Sequence, residues 1–168
     1  RENRIDLEAQ LAALRRGATL YEGLLCDYGP ETLRRYFNEL YRMGADAVRT
    51  VLESGAFGPG SAEALLDDGH RIQVDIRRRG AGIVVDFKDT SAEHPGNLNA
   101  TPAIVRSAVL YVLRLLVDRP MPLNEGLIDA VRIELPRCFL NPEFHADPTH
   151  CPAVVGGNVE TSQRLVDT

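Results

Sequence analysis

The sequence predicts an α+β fold, in which an N-terminal helical hairpin is followed by a small antiparallel sheet, a β-hairpin plus a third strand, covered by a buried helix. Three patterns lead to this prediction. Apolar residues recur at spacings of three and four over residues 1–55, they occupy every second position in three later segments, and a long apolar run precedes the third of these. We therefore expect a helical hairpin at residues 1–55 and an α+β unit at residues 56–168.

Two apolar stripes predict the helical hairpin. The first is a continuous seam along one helix face, formed by Leu7, Leu11, Leu14, Ala18, Tyr21 and Leu25. Asp27-Tyr28-Gly29-Pro30 breaks that helix, and Pro30 suits the opening turn of the next one. A similar stripe continues through Leu33, Phe37, Leu40, Ala47 and Val51. We expect the second helix to cover the seam of the first, and the hairpin to end near Gly55.

Three strands are predicted after a glycine-rich linker at residues 55–60. Apolar and polar residues alternate over residues 72–77, and after a glycine-containing turn Ile83, Val85 and Phe87 fall on one face of a second run, which predicts a β-hairpin. A third alternating run covers residues 131–135 and is ended by Pro136.

The apolar run from Ala103 to Val117 is predicted to be a helix that covers the sheet. Thr101 is suited to the N-cap and Pro102 to the first helical position. Apolar residues nearly encircle this helix, which predicts burial on more than one side. Because the run is too short for a bilayer and is interrupted by arginine, we expect no membrane segment, and we also expect no signal peptide.

Composition excludes some classes of partner. The 168 residues carry a formal net charge of −5, which gives no general attraction to nucleic acid. The odd number of cysteines, without CxxC spacing, predicts reduced thiols in the cytoplasm. Because the sequence opens on Arg1 and stops at Thr168 within an unfinished amphipathic helix, we expect a fragment of a larger subunit, inactive when isolated.

A polar string near the C-terminus, residues 152–164, is the most informative motif for function. Its glycine pair Gly156-Gly157 allows a sharp turn and a close approach of the backbone to a neighbour. Asn158 is predicted to cap a helix whose first turn carries Glu160-Thr161-Ser162. No lysine follows the glycines as in a nucleotide P-loop, so we do not expect ATP to bind there.

Further motifs precede this string in a fixed order: Asp86-Phe87-Lys88-Asp89-Thr90-Ser91, Gly96-Asn97-Leu98-Asn99-Ala100, Arg106-Ser107-Ala108-Val109, Pro122-Leu123-Asn124-Glu125-Gly126 and Leu140-Asn141-Pro142. With the terminal string, this succession resembles the hydantoinase B/oxoprolinase family over essentially all of residues 71–168. The family includes 5-oxoprolinase, N-methylhydantoinase and ATP-dependent carboxylase subunits. Asp89, where the family usually has a small residue, and the stretch Phe144 to Cys151 depart from its pattern.

The resemblance implies an ATP-dependent hydrolase that opens a five-membered lactam or hydantoin ring, of the 5-oxoproline or N-methylhydantoin type. In the implied route ATP phosphorylates the amide oxygen, so that water can attack the activated carbon. ATP with a divalent cation is expected to bind outside this chain, in a hydantoinase A-type companion subunit or fused domain of an oligomeric complex. The parent subunit is also expected to hold a metal outside these residues.

Two alternatives stay open at this stage. One is a subunit of an ATP-dependent ketone carboxylase, because phosphorylating an enol oxygen and an amide oxygen pose similar problems to a protein. The other is a non-catalytic assembly module, in which the helical hairpin docks the companion subunit while the chemistry occurs elsewhere.

Amides, hydroxyls and single charges are the candidate site residues. We expect Glu160 as the catalytic residue, a general base, and the following as substrate-binding residues: Asn97, Asn99, Arg106, Asn124, Asn158, Thr161, Ser162 and Arg164. Either arginine could pair with a substrate carboxylate in a bidentate manner. The alternative interpretations are turn closure by the asparagines, pairing of the arginines with other carboxylates, and a helix-start role for Glu160.

No metal site is predicted within the chain. The loop residues His145, Asp147, His150 and Cys151 are potential ligands, but their spacing fits no standard zinc motif, so a surface loop is the preferred interpretation. His70 and His94 are interpreted as isolated loop or strand-edge residues.

Overall fold

The computed structural model describes residues 2–55 and 58–168, except for the side chain of Glu2. The helices are α1 (Glu2–Tyr28), α2 (Pro30–Glu53), α3 (Pro102–Leu116) and α4 (Glu160–Asp167), and the strands are β1 (Gly60–Leu65), β2 (Arg71–Arg79), β3 (Gly82–Asp86) and β4 (Val131–Glu134). Short 3-10 helices lie at Glu125–Ile128, Pro148–His150 and Gly156–Asn158. This confirms the α+β class.

The chain forms two compact units, residues 1–40 and residues 41–168, so the boundary falls inside α2. The sequence predicted a domain boundary after residue 55, and this boundary stays a prediction. In the first unit Gly29, at φ 76°, ends α1 in a backbone conformation that favours glycine. The rings of Tyr21 and Phe37 stack with their centroids 6.2 Å apart. These residues lie eight positions before and after Gly29, so the two helices run antiparallel next to the turn.

The apolar seam of α1 is largely exposed, although the sequence predicted that it would be covered. Leu7, Leu11 and Leu14 are 60%, 51% and 70% exposed. The prediction was wrong because a seam at helical spacing identifies a face that can be buried but not the surface that buries it. In the second unit, residues Ala45, Val48 and Leu52 of α2 are buried, and the last two belong to the core of that unit.

The sheet has four strands in the order β1-β2-β3-β4 and is mixed. The predicted hairpin is β2 and β3, which pair antiparallel around Gly80-Ala81. Two features differ from the prediction. No strand was predicted in the segment that forms β1, which pairs antiparallel with β2 from Gly60↔Ile76 to Leu65↔Arg71. β4 runs parallel to β3, because α3 lies in the connection between them and returns the chain to the starting end of β3.

The core lies between one face of the sheet and the helices α3 and α4. Ile72, Val85, Phe87, Val105 and Leu165 are all buried in this cluster. α3 begins as predicted, with Thr101 at the N-cap and Pro102 in the first turn, although Thr101 makes no side-chain capping bond. It is buried on one side only, since Tyr111 and Leu115 are more than half exposed.

The opposite face of the sheet carries an ion-pair network. Arg77 donates to Asp86 at 2.7 Å and to Glu134 at 2.5 Å, which joins β2, β3 and β4. Burial alone would raise the pKa of Asp86, but the bonds from Arg77 and from the Lys88 backbone N–H outweigh it and lower that pKa. Among the described residues, no helix is both long and apolar enough to cross a membrane.

Substitutions of two leucines at the 3-10 helix 125–128 test which side chains there belong to the core. Leu127 is fully buried and Leu123 is 63% exposed. Leu127→Ala leaves a cavity, so we expect it to lower the free energy of unfolding by about 2–5 kcal/mol. Leu123→Ala is the matched control and is expected to change it by less than about 0.5 kcal/mol. Urea denaturation followed by circular dichroism measures both, and equal losses would contradict the assignment.

Candidate functional site

The two polar motifs, residues 96–100 and 156–162, meet through a backbone contact. The N–H of Gly157 donates to the carbonyl of Asn97 at 3.1 Å. A Cβ atom on Gly157 would lie 1.9 Å from the carbonyl oxygen of Asn99, and one on Gly156 would lie 2.9 Å from Oδ1 of Asn97. The glycine pair therefore allows the close approach that the sequence predicted, and the neighbour is the Asn97–Ala100 segment. Because the Gly157 amide is occupied, it is not free to hold an anion.

The buried side chain of Asn99 fixes the loop from His94 to Ala100 by hydrogen bonds to its backbone. It is fully buried, and its Nδ2 donates to the carbonyls of His94, Gly96 and Ala153 at 2.8, 3.1 and 3.1 Å. Its Oδ1 accepts from the His94 N–H at 2.8 Å. These bonds use both donors of the amide, as a buried polar group requires. Asn99 is thus a positioning residue, which agrees with the turn-closing alternative.

Thr161 has the same kind of role on the α4 side. It is fully buried, and its hydroxyl donates to the carbonyl of Leu98 at 2.6 Å. The helix α4 is thereby attached to the loop that carries Asn97 and Asn99. Neither Thr161 nor Asn99 is accessible to a ligand in this arrangement.

Asn158 does not cap α4 as predicted. It ends the short 3-10 helix Gly156–Asn158, and the N-cap residue of α4 is Val159, which makes no side-chain capping bond. The carbonyl of Asn158 accepts from the hydroxyl of Ser162 at 2.9 Å. The 3-10 turn shifts the start of α4 by one residue, and this leaves the Asn158 residue exposed.

Asn158 and Ser162 line an open groove of about 490 Å³ between α3 and α4. Ser107 and Tyr111 of α3 line its other side. Sequence reasoning did not assign these two residues. They lie four positions apart on one helix face, within the Arg106-Ser107-Ala108-Val109 motif and its continuation, and that spacing was the available signal.

Arg106 and Asn124 lie in a different neighbourhood. Arg106 of α3 pairs with Glu125, and Asn124 caps the 3-10 helix at 125–128 by accepting from the Gly126 N–H at 2.9 Å. A Cβ atom on Gly126 would lie 1.9 Å from the carbonyl oxygen of Tyr41, so this turn packs closely on α2. Neither Arg106 nor Asn124 lines the groove.

The charged residues of α4 are the last predicted members of the site. Glu160 is partly exposed in the first turn of α4. Arg164 pairs with Asp67 at 3.4 Å. Asn97, Asn158, Glu160 and Ser162 therefore lie in two segments that contact each other. Both predicted arginines, Arg106 and Arg164, form ion pairs with carboxylates of the chain.

A second cluster, which sequence reasoning missed, contains Asp68, His70 and His94. Nε2 of His94 and Nδ1 of His70 lie 2.6 and 3.0 Å from Oδ2 of Asp68. The two imidazole rings pack with centroids 4.4 Å apart. The interpretation of the histidines as isolated residues was wrong, since the turn after β1 and the loop after β3 bring residues distant in sequence together. Within residues 2–55 and 58–168 this is the only group of three or more such ligands close enough to hold a metal.

The hydrogen bonds of this cluster set its charges. Nδ1 of His94 accepts from the Gly96 N–H at 2.8 Å, so the proton of the neutral ring lies on Nε2 and is donated to Asp68. The pKa of Asp68 is lowered to about 2, first by the bond from the His70 backbone N–H and then by the bond from His94. The carboxylate is therefore charged at neutral pH.

The loop around residues 145–151 makes local contacts of its own. Asp147 Oδ1 accepts from the Thr149 N–H at 2.9 Å and from its hydroxyl at 2.7 Å. The Cys151 thiol lies 3.2 Å from the His145 carbonyl, and the rings of His145 and His150 are 6.4 Å apart. These contacts fit the surface-loop interpretation.

Comparison with known proteins agrees with this fold and these motifs. Residues 1–168 match the family described as hydantoinase B/oxoprolinase. The chain belongs to that family.

Individual relatives include enzymes that act on cyclic amides. The chain is 37% identical to a 5-oxoprolinase of Saccharomyces cerevisiae over 99% of its length and 13% of that protein, and 37% identical to 5-oxoprolinase 1 of Arabidopsis thaliana over 99% and 14%. The crystal structure of an ATP-dependent caprolactamase from Pseudomonas jessenii superposes with a TM-score of 0.76 at 26% identity, covering 96% of this chain and 28% of that one. The chain thus spans a small part of the relatives it matches.

Gly157→Ala tests the backbone contact between the two motifs. The added Cβ would lie 1.9 Å from a backbone oxygen that no side-chain rotation can move, so we expect the free energy of unfolding to fall by about 1–3 kcal/mol. Gly60→Ala is the matched control, since a Cβ there meets nothing within 4 Å. Urea denaturation compares the two variants, and similar stabilities would show that the contact is looser than described.

The Asp68 carboxyl tests the histidine cluster. Because its pKa in the folded chain is lowered from 3.8 to about 2, its stabilising effect is complete above pH 3.8 and is lost as pH falls toward 2. We expect ¹³C NMR to show this titration, and His94→Asn to raise the pKa of Asp68. The pKa of Asp147 is lowered mainly by Thr149, so it serves as the internal reference. An unchanged Asp68 titration in His94→Asn would contradict the assigned bond.

Proposed function

We propose that the full-length protein is an ATP-dependent cyclic amide hydrolase and that this chain forms part of its substrate site. The carrying observation is the contact that joins residues 96–100 to residues 156–162, because it places Asn97 next to the segment that carries Asn158 and Ser162. The relatives named 5-oxoprolinase and ATP-dependent caprolactamase support the same class of reaction. Within this class we propose a five-membered lactam or hydantoin as the substrate.

The proposed chemistry assigns roles to Asn158 and Ser162 of the groove, and to Asn97 and Glu160 of the two contacting segments. Amide resonance makes a lactam carbonyl a poor electrophile, and phosphorylation of its oxygen by ATP removes that protection. The protein must then hold the ring, position a water molecule and stabilise the developing negative charge. The amide of Asn158 and the hydroxyl of Ser162 are suitable donors, Asn97 contributes a contact from the neighbouring loop, and Glu160 is the proposed base.

Contacts within the chain support a smaller set of site residues than the sequence predicted. Asn99 and Thr161 are buried in contacts within the chain, so their proposed role is to position the loop and α4. Arg106 and Arg164 already pair with Glu125 and Asp67, and Asn124 closes a turn against α2. We therefore centre the proposed site on Asn97, Asn158, Glu160 and Ser162.

ATP and its divalent cation are proposed to bind outside these residues, in a hydantoinase A-type companion subunit or fused domain. The occupied Gly157 amide and the lack of a following lysine support this placement. The exposed seam of α1 supports docking of that companion, because large apolar residues on one helix face form a surface that a partner can bury. The three free cysteines support a cytoplasmic location.

The proposal is tested with the full-length protein and its companion. Ring opening of 5-oxoproline, hydantoin and N-methylhydantoin is measured together with phosphate release. We expect coupled turnover, and a loss of about 10²-fold or more in kcat for Asn158→Ala, the size seen when one oxyanion donor is removed. Asn38→Ala, on the exposed surface of α2, is the matched control and should retain full turnover.

Other results would reject specific parts of the proposal. Failure of the wild-type complex on every cyclic amide would exclude the hydrolase, and bicarbonate-dependent ATP turnover would favour the ketone carboxylase. Full activity of Asn158→Ala would exclude the groove as the substrate site. Lost assembly of that variant in size-exclusion chromatography would assign the residue to structure.

A further inference from the structure

The Asp68–His70–His94 cluster has the composition and spacing of a three-ligand metal site. Its ligand atoms all lie within 4.8 Å of one another. We propose that these residues bind Zn²⁺ through a carboxylate oxygen of Asp68, Nδ1 of His70 and Nε2 of His94. This inference does not depend on the proposed function, because it concerns a different group of residues.

The choice of metal follows from the ligand types. Two imidazole nitrogens with one carboxylate oxygen favour zinc over magnesium or calcium, which prefer oxygen ligands. Zinc takes nitrogen and oxygen ligands at about 2.0–2.2 Å in a tetrahedral arrangement, so its ligand atoms lie roughly 3.3–3.5 Å from one another. Asp68 Oδ2 is now 2.6 Å from His94 Nε2 and 3.0 Å from His70 Nδ1. These two separations must widen by about 0.3–0.9 Å to admit the ion.

The two histidines are already held in position. The side chain of His94 is only 10% exposed and that of His70 is 25% exposed, and the two rings pack against each other. The ring of His70 also contacts the edge of Phe139, with centroids 5.9 Å apart. Asp68 is on the solvent side, at 40% exposure, which leaves room for entry of the ion and for water as the fourth ligand.

One hydrogen bond in the cluster competes with zinc binding. When zinc occupies Nε2 of a neutral imidazole, the ring proton lies on Nδ1, but in His94 that atom faces the Gly96 N–H. The Gly96 bond must therefore break as the metal binds. Loss of one hydrogen bond lowers affinity by about tenfold, which a site with three protein ligands can sustain. Gly96 lies in an exposed stretch of the loop, where water can accept its N–H in place of His94.

The position of the cluster indicates what a bound ion does. Asp68 and His70 belong to the turn between β1 and β2, whereas His94 begins the loop that contains Asn97 and Asn99. Zinc would link the turn to the loop by bonds that span the two segments. It would thereby fix the end of the loop opposite to the Gly157 contact.

Zinc content of the full-length protein provides the test. The protein and its variants are stripped with a chelator, equilibrated with stoichiometric Zn²⁺ and dialysed, and bound zinc is counted by mass spectrometry. We expect His70→Asn to hold one equivalent less than the wild type and to lose the zinc-dependent rise in melting temperature. Any metal bound elsewhere in the full-length protein cancels in this difference. Asp68→Asn gives a second variant that retains size and shape.

The second pair of histidines supplies the matched control. His145→Asn/His150→Asn removes two imidazoles from a surface loop, and we expect its zinc content and zinc-dependent melting shift to equal those of the wild type. Equal zinc content in the wild type, His70→Asn and Asp68→Asn would overturn the proposal. So would loss of the same equivalent in the control variant. Circular dichroism of the metal-free proteins identifies a variant that has lost its fold, and the remaining variant then decides.

Discussion

The contact between Gly157 and the backbone of Asn99 is the constraint on which the arrangement of the polar residues depends. Both partners are main chain, so no change of side-chain rotamer can relieve a clash, and any residue larger than glycine would have to separate the two segments. The separation would also break the Gly157 to Asn97 bond and the bond from Thr161 to the Leu98 carbonyl. One backbone approach thus sets the positions of Asn97, Asn158 and Ser162 together.

Buried polar groups around this contact give the loop a single conformation. Asn99 and Thr161 have no access to solvent, and each finds its hydrogen-bond partners on the main chain. Leaving either group without partners inside the protein would cost far more than a satisfied bond contributes, so alternative loop conformations are disfavoured. His94 anchors the other end of the loop to Asp68. The segment from His94 to Ala100 is therefore held at both ends and in its middle.

The sequence predicted the elements better than their relations. The helices and the β2–β3 hairpin followed from local rules of periodicity. Asn99 and Asn124 were predicted to bind substrate, and the turn roles that the structure gives them were the alternative interpretation. The direction of β4 was predicted wrongly, although α3 in the connection was itself the sign of a parallel crossover. The Asp68–His94 contact and the exposure of the α1 seam depend on which distant segments meet, and residue spacing does not show that. The N-cap of α4 lies one residue after its predicted position at Asn158. Composition does not distinguish the 3-10 turn ahead of α4 from the start of a helix.

The mixed pairing of β3 has a consequence for how the chain folds. β3 meets β2 across the two residues Gly80-Ala81, but it meets β4 only after the chain has passed through α3 and the turn at Glu125–Ile128. Closing a short loop loses much less chain entropy than closing a long one, so the hairpin can assemble early while the parallel partner arrives late. During that interval the hydrogen-bonding edge of β3 is open to other strands, and nascent chains at high concentration are at greatest risk of mispairing there.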